Sequence, residues 1–116
     1  MYLQKELETG DGHIFKMCGV IPGRAFFANR LVRFGYMEAT AQRAGLYGDK
    51  GLMFRGHEFH YWDCSMNGGD FKAVKSGSGT VYDCMIHEPA MAAGFPHIYA
   101  YCNPRMYLNF LKKTVE

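Results

Sequence analysis

Alternation of apolar and polar residues is clearest over residues 52–62, where a period of two divides the side chains into two faces. Met53, Arg55, His57, Phe59 and Tyr61 share one face; Phe54, Gly56, Glu58, His60 and Trp62 share the other. This pattern predicts a strand. A second strand over 31–40 is expected to pair with it as an antiparallel hairpin across the glycine-bounded connection 45–51. Residues 71–75 and 80–87 flank Ser76-Gly77-Ser78-Gly79, a strong short-range hairpin signal. Residues 15–21 read as a buried strand entering a turn at Pro22 and Gly23. After a small-residue turn at 90–94, residues 95–101 read as a last strand with His97, Tyr99 and Tyr101 on one face. The opening residues 1–7 suggest one or two helical turns, broken by Gly10-Asp11-Gly12. Only the C-terminus carries proper helix-start signals: Asn103 suits the N-cap and Pro104 the first helical position. Tyr107, Leu108, Leu111 and Val115 are expected to form its apolar face, with Lys112 and Lys113 at the negative end of the helix dipole.

With 116 residues, the chain has the length of one domain. Hydrophobic residues at 48% and charged residues at 21% give a globular balance and argue against disorder. The formal charge of +2 is too small to predict nucleic-acid or membrane binding by electrostatics. No apolar run nears the roughly 18 residues of a membrane span, and the opening residues have no secretory-signal core, so a cytoplasmic protein is expected. Cys18, Cys64, Cys84 and Cys102 form no C-x-x-C pair and are expected as free thiols. Eight methionines and an aromatic content of 16% point to a core of large, adaptable side chains.

Within Arg55-Gly56-His57-Glu58-Phe59-His60-Tyr61 the two histidines are three residues apart. A zinc-protease helix needs them four apart on one helical face, whereas a strand sends these two to opposite faces. A structural polar strand, with Glu58 and His60 hydrogen-bonded in a partly buried row, is the preferred reading over a metal site. His97 is either a general base, its ordinary pKa lying near neutrality, or a structural histidine among aromatics. The cysteines read as small core residues, since no distinctive base or cation accompanies them. Neither G-x-x-x-x-G-K-[ST] nor a helix-opening G-x-G-x-x-G is present, and no basic stripe accompanies the aromatics to suggest nucleic-acid stacking.

Four segments in order resemble the C-terminal glutamine amidotransferase domain of the cobyrinate a,c-diamide synthase family. They are Met17-Cys18-Gly19-Val20-Ile21-Pro22-Gly23, Gly35-Tyr36-Met37-Glu38-Ala39, Arg55-Gly56-His57-Glu58-Phe59-His60-Tyr61, and the run from His97 to Asn103-Pro104. The third matches the family's R-G-H-E-F-H-Y almost letter for letter, and the likeness is weakest over 65–94. A related nickel-sirohydrochlorin diamide synthase shares this domain type. The resemblance implies an α/β fold, class I glutamine amidotransferase-like (flavodoxin-like), of which residues 1–116 would be a single partial domain, strand-rich with a C-terminal helix. It implies that His97 is the catalytic base, with Tyr99 where the family usually has a second histidine, and that Glu58 and His60 form a supporting polar strand near the site. The family's nucleophilic cysteine sits on a turn of the form E-C-G-G shortly before a stretch like Met1-Tyr2-Leu3; none of the four cysteines holds that position. The chain is therefore expected to be a fragment, inactive alone, of a glutamine-dependent, ATP-driven ligase that amidates tetrapyrrole carboxylates. Its partners would be glutamine, the tetrapyrrole and the N-terminal amidotransferase and synthetase part. ATP and Mg would act in the full enzyme, with no cofactor in this chain. The alternative is a non-catalytic half-domain acting as an interaction module, whose open sheet edge would favour self-association.

Overall fold

Period two in the sequence becomes two faces in space. In the computed structural model, which describes residues 1–115, every odd-numbered residue from Met53 to Tyr61 is exposed, while Phe54, Gly56 and Glu58 are buried. The chain forms two compact units, Met1–Phe34 with Phe59–Asn67, and Gly35–Glu58 with the chain from Gly68 on. Eleven strands and one α-helix, at the C-terminus, make a strand-rich mixed fold among the described residues.

The first unit holds a four-stranded sheet in the order β2-β1-β3-β6, built from β1 (Gln4–Glu8), β2 (Ile14–Lys16), β3 (Ile21–Phe27) and β6 (Trp62–Cys64). Of the residues 1–7 expected to form helical turns, 4–7 lie in β1 instead. Glu6 and Glu8, two residues apart and so on one side of β1, both bind Arg24 of β3, at 3.0 and 2.9 Å. The strand expected over 15–21 is also displaced. Gly19, at φ +71°, turns the chain, and β3 starts at Ile21 and runs through Pro22 and Gly23 parallel to β1. Gly23 lies against Gln4, where a Cβ would stand 2.3 Å from the amide Oε1.

In the second unit the sheet order is β11-β5-β4-β7-β8, from β4 (Arg33–Ala41), β5 (Met53–His60), β7 (Phe71–Lys75), β8 (Val81–Cys84) and β11 (His97–Ile98). The first two residues of β4 and the last two of β5 belong to the first unit. β4 and β5 are neighbours, closed at their junction by the Ala41 N–H donating to Leu52 O at 2.8 Å. The β7–β8 hairpin forms around the Gly/Ser turn as its composition predicts. Met85, at φ +58°, ends β8, and the chain enters a separate antiparallel pair, β9 (Ile86–Glu88) with β10 (Met91–Ala93). The expected turn over 90–94 thus holds a short strand. The last strand, expected over 95–101, is only two residues long and passes into a 3-10 turn, Ala100–Cys102.

Met37, Ala39, Ala41, Phe54, Phe71, Ala73, Cys84, Met85 and Met106 make the core of this unit. Met106 comes from α1 (Pro104–Thr114), which begins where Asn103-Pro104 predicts. The Asn103 side chain makes no cap, however; its Nδ2 donates to Met53 O at 2.7 Å. Of the expected apolar face, Tyr107 packs against the core, whereas Leu108, Leu111 and Val115 are exposed. α1 docks through Met106, Asn109 and Lys113, spaced as one helical stripe, with Asn109 Nδ2 donating to Tyr47 O and Lys113 Nζ to Gly45 O, each at 2.8 Å. Polar bonds to the 45–51 connection therefore set the helix's rotation over apolar content. Among the described residues no helix is long and apolar enough to cross a membrane.

Candidate functional site

His97 stands on β11, at one edge of the second unit's sheet, and is exposed. β11 runs antiparallel to β5 and pairs His97 with His57 and Ile98 with Gly56. Paired residues project to the same side of a sheet. The two imidazoles accordingly stack, with centroids 4.8 Å apart and planes 23° from parallel. Tyr36 of β4 extends the row, its ring 6.2 Å from that of His57. At Gly56 the strands come unusually close: a Cβ there would lie 2.4 Å from the His97 carbonyl oxygen.

Beside this row opens a cavity of about 580 Å³, lined chiefly by Tyr36, Glu38, Arg55, His57, Ser76 and Tyr99. Arg55 Nε donates to Glu38 Oε2 at 3.2 Å. The Tyr99 N–H donates to Arg55 O at 2.8 Å, holding the chain after β11 against β5. His57 lines this cavity, and His97 stacks on it as an exposed imidazole, open to a group brought to it, the elementary requirement for a general base.

The other singled-out residues are distributed by strand alternation. Glu58, only 2% exposed, projects to the core side of β5, the side opposite His57. His60 lies in the first unit, half-buried, with Nδ1 2.7 Å from Trp62 O. All four cysteines are free thiols. Cys64 and Cys84 are buried, and burial pushes the Cys64 thiol pKa up. Cys102 is bound to the Arg55 backbone, its Sγ accepting from Arg55 N–H at 3.0 Å. Cys18 is exposed, and its thiol beside the Tyr2 hydroxyl raises the phenol pKa. No three His, Cys, Asp or Glu side chains among the described residues are grouped as metal ligands would be.

Two histidines matter more than sequence reasoning anticipates. His57 gains its partner through strand register, which the letters of the motif do not encode. His87 is fully buried, between Tyr47 at 5.8 Å and Phe71 at 4.9 Å. Its Nε2 accepts from the Tyr47 N–H at 3.0 Å, so its proton sits on Nδ1, 3.3 Å from Arg43 O. Loss of hydration holds its pKa below the usual imidazole range. Its only signal in the sequence is a histidine closing the apolar run Cys84-Met85-Ile86.

No family model matches the chain. Among known proteins it is similar to the cobyrinate a,c-diamide synthase of Salmonella typhimurium, 48% identical over 63 residues, which cover 54% of this chain and 14% of that protein. The synthase so named from Leptospira interrogans is 27% identical over 121 residues, covering 100% of this chain and 27% of the relative. That of Fusobacterium nucleatum is 37% identical over 106 residues, covering 85% and 22%. The chain thus spans about a quarter or less of the length of these relatives.

Proposed function

We propose, on the premise that this chain is homologous to the cobyrinate a,c-diamide synthases over part of their length, that it is the C-terminal portion of a glutamine amidotransferase domain. Residues 1–116 then form a single partial domain of class I amidotransferase-like fold. The longer enzyme uses glutamine and ATP to amidate tetrapyrrole carboxylates, and this portion supplies His97 as the base of the glutaminase site. The observation that carries the reading is the position of His97: exposed, on an edge strand, and registered against the R-G-H motif strand.

The nucleophilic cysteine belongs to another segment of the amidotransferase. Two of the four thiols in this chain are buried and a third is tied to backbone, which supports that assignment. His97 takes the thiol proton as sulfur attacks the glutamine amide carbon and returns it to the departing amide nitrogen, which leaves as ammonia. A water then adds to the thioester, giving its proton to the imidazole, and glutamate and free thiol result. Glu58 and His60 support the motif strand rather than the proton transfer. The sequence carries no phosphate loop, and no step proposed for this chain passes through ATP or Mg.

A chimera tests the proposal directly: the matched 121 residues of the Leptospira relative are replaced by this chain. The 116 residues alone should hydrolyse no glutamine, while the chimera should amidate with glutamine. His97→Ala in the chimera should lower glutamine-driven amidation by about 10² to 10⁴-fold and spare amidation with added ammonia. Equal loss with both nitrogen donors would assign His97 to structure or to the ligase step.

A second reading, the non-catalytic interaction module, draws support from β2. Ile14, Phe15 and Lys16 on this edge strand are all exposed, leaving an open template for pairing.

A further inference from the structure

The glutaminase reading leaves unexplained why the strand opposite His97 should carry Gly56 and His57 in succession. We propose that these two residues position the His97 imidazole, Gly56 by setting how closely β11 approaches β5 and His57 by stacking on the ring. The inference rests on the assignment of His97 as base, but its geometry is independent of that assignment.

β11 is only two residues long, so ladder hydrogen bonds alone hold it weakly. What compensates is close approach. With no Cβ at Gly56, the His97 carbonyl lies where a side-chain carbon would otherwise be, 2.4 Å from the ideal position. Any larger residue must push β11 outward, carrying His97 with it. The Tyr99 N–H to Arg55 O bond continues the zipper on the far side of Ile98. The backbone on which His97 sits is thereby fixed at both of its paired positions.

The ring needs a second constraint, because an exposed histidine on an edge strand otherwise samples several rotamers. His57 provides it. The near-parallel stack at 4.8 Å covers one face of the His97 imidazole. Tyr36, tilted 58° against the other side of His57, keeps that ring in turn from rotating away. Three neighbouring strands, β4, β5 and β11, thus each contribute one ring to a row that ends on the proposed base. His57 is a positioning residue: it touches His97 and takes no part in proton transfer. An aromatic carbocycle should serve in its place, whereas an aliphatic side chain should not. A general base displaced by about 1 Å loses on the order of 10²-fold in rate, and that sets the size of effect expected.

Proton NMR of the His97 ring in the 116-residue chain reads the stack, and glutamine-driven against ammonia-driven turnover in the chimera reads its consequence. His57→Phe should keep the His97 ring protons shifted upfield and keep most glutamine-driven kcat. His57→Leu should move those protons toward their unstacked positions and lower glutamine-driven kcat about 10- to 100-fold, with KM and ammonia-driven turnover little changed. Gly56→Ala should weaken the cross-strand contacts between His97 and His57 and lower the same rate. Unchanged ring shifts in His57→Leu, or equal kcat loss in His57→Phe and His57→Leu, would overturn the proposal. Should His97→Ala leave glutamine use intact while His57→Leu still moves the ring shifts, the glutaminase reading falls and the positioning of His97 stands.

Discussion

Burying the neutral His87 ring between Tyr47 and Phe71 ties stability to acidity. In the unfolded chain an imidazole titrates near about 6.5, whereas burial lowers that value in the fold. The unfolded state therefore binds the proton first as the medium acidifies. The contribution of His87 is intact above about pH 6.5 and is lost as the pH falls through and below that value, with a slope of up to about 1.4 kcal/mol per unit. Urea melts at pH 7.5 and 5.5 should show this loss, and His87→Phe, which cannot titrate, should reduce it. His87→Ala should cost about 3 kcal/mol at pH 7.5, since it opens a cavity and leaves the Tyr47 N–H and Arg43 O without the ring. Residue-level legibility divides cleanly. The exposed face of β5 follows from alternation, so the outward projection of His57 is readable from the letters alone. The partnership of His57 with His97 is not, because it arises from a register between segments forty residues apart in the chain.

Local chemistry also marks where elements begin better than how they dock. Asn103-Pro104 announces α1, but the asparagine amide is used on Met53 O, and the helix docks through buried Met106 and through the bonds of Asn109 and Lys113. Apolar periodicity points to Tyr107, which packs against the core, but also to Leu108, Leu111 and Val115, which remain exposed, because it cannot register bonds to carbonyls in a distant connection. The consequences differ in size. Met106→Ala should cost about 2–5 kcal/mol, while Leu108→Ala should change stability by less than about 0.5 kcal/mol; chemical denaturation of both variants checks the contrast. β1 was unreadable for a related reason: its short run shows no alternation, and its strand form is set by Arg24 and the parallel pairing with β3.

At the scale of the whole molecule, exposed apolar residues on an edge strand such as Ile14 and Phe15, each more than half accessible, favour association. Sedimentation or light scattering at rising concentration should show a growing average mass, and Phe15→Lys should return it toward that of the monomer. A mass that stays monomeric throughout would count against the interaction-module reading. The strand-rich character and the terminal helix were legible; the division into two units was not, because a short return segment, Phe59–Asn67, completes the first.

That return segment carries a consequence for biosynthesis. β3 finds its outer partner, β6, only after β4, the 45–51 connection and β5 have all been made. During translation the first thirty-four residues must wait, with Ala25, Phe26 and Phe27 lacking the ladder that Trp62, Asp63 and Cys64 later provide. The nascent chain therefore spends that interval as an incomplete sheet with a pairing edge open to other chains, the period in which a holding chaperone would matter most.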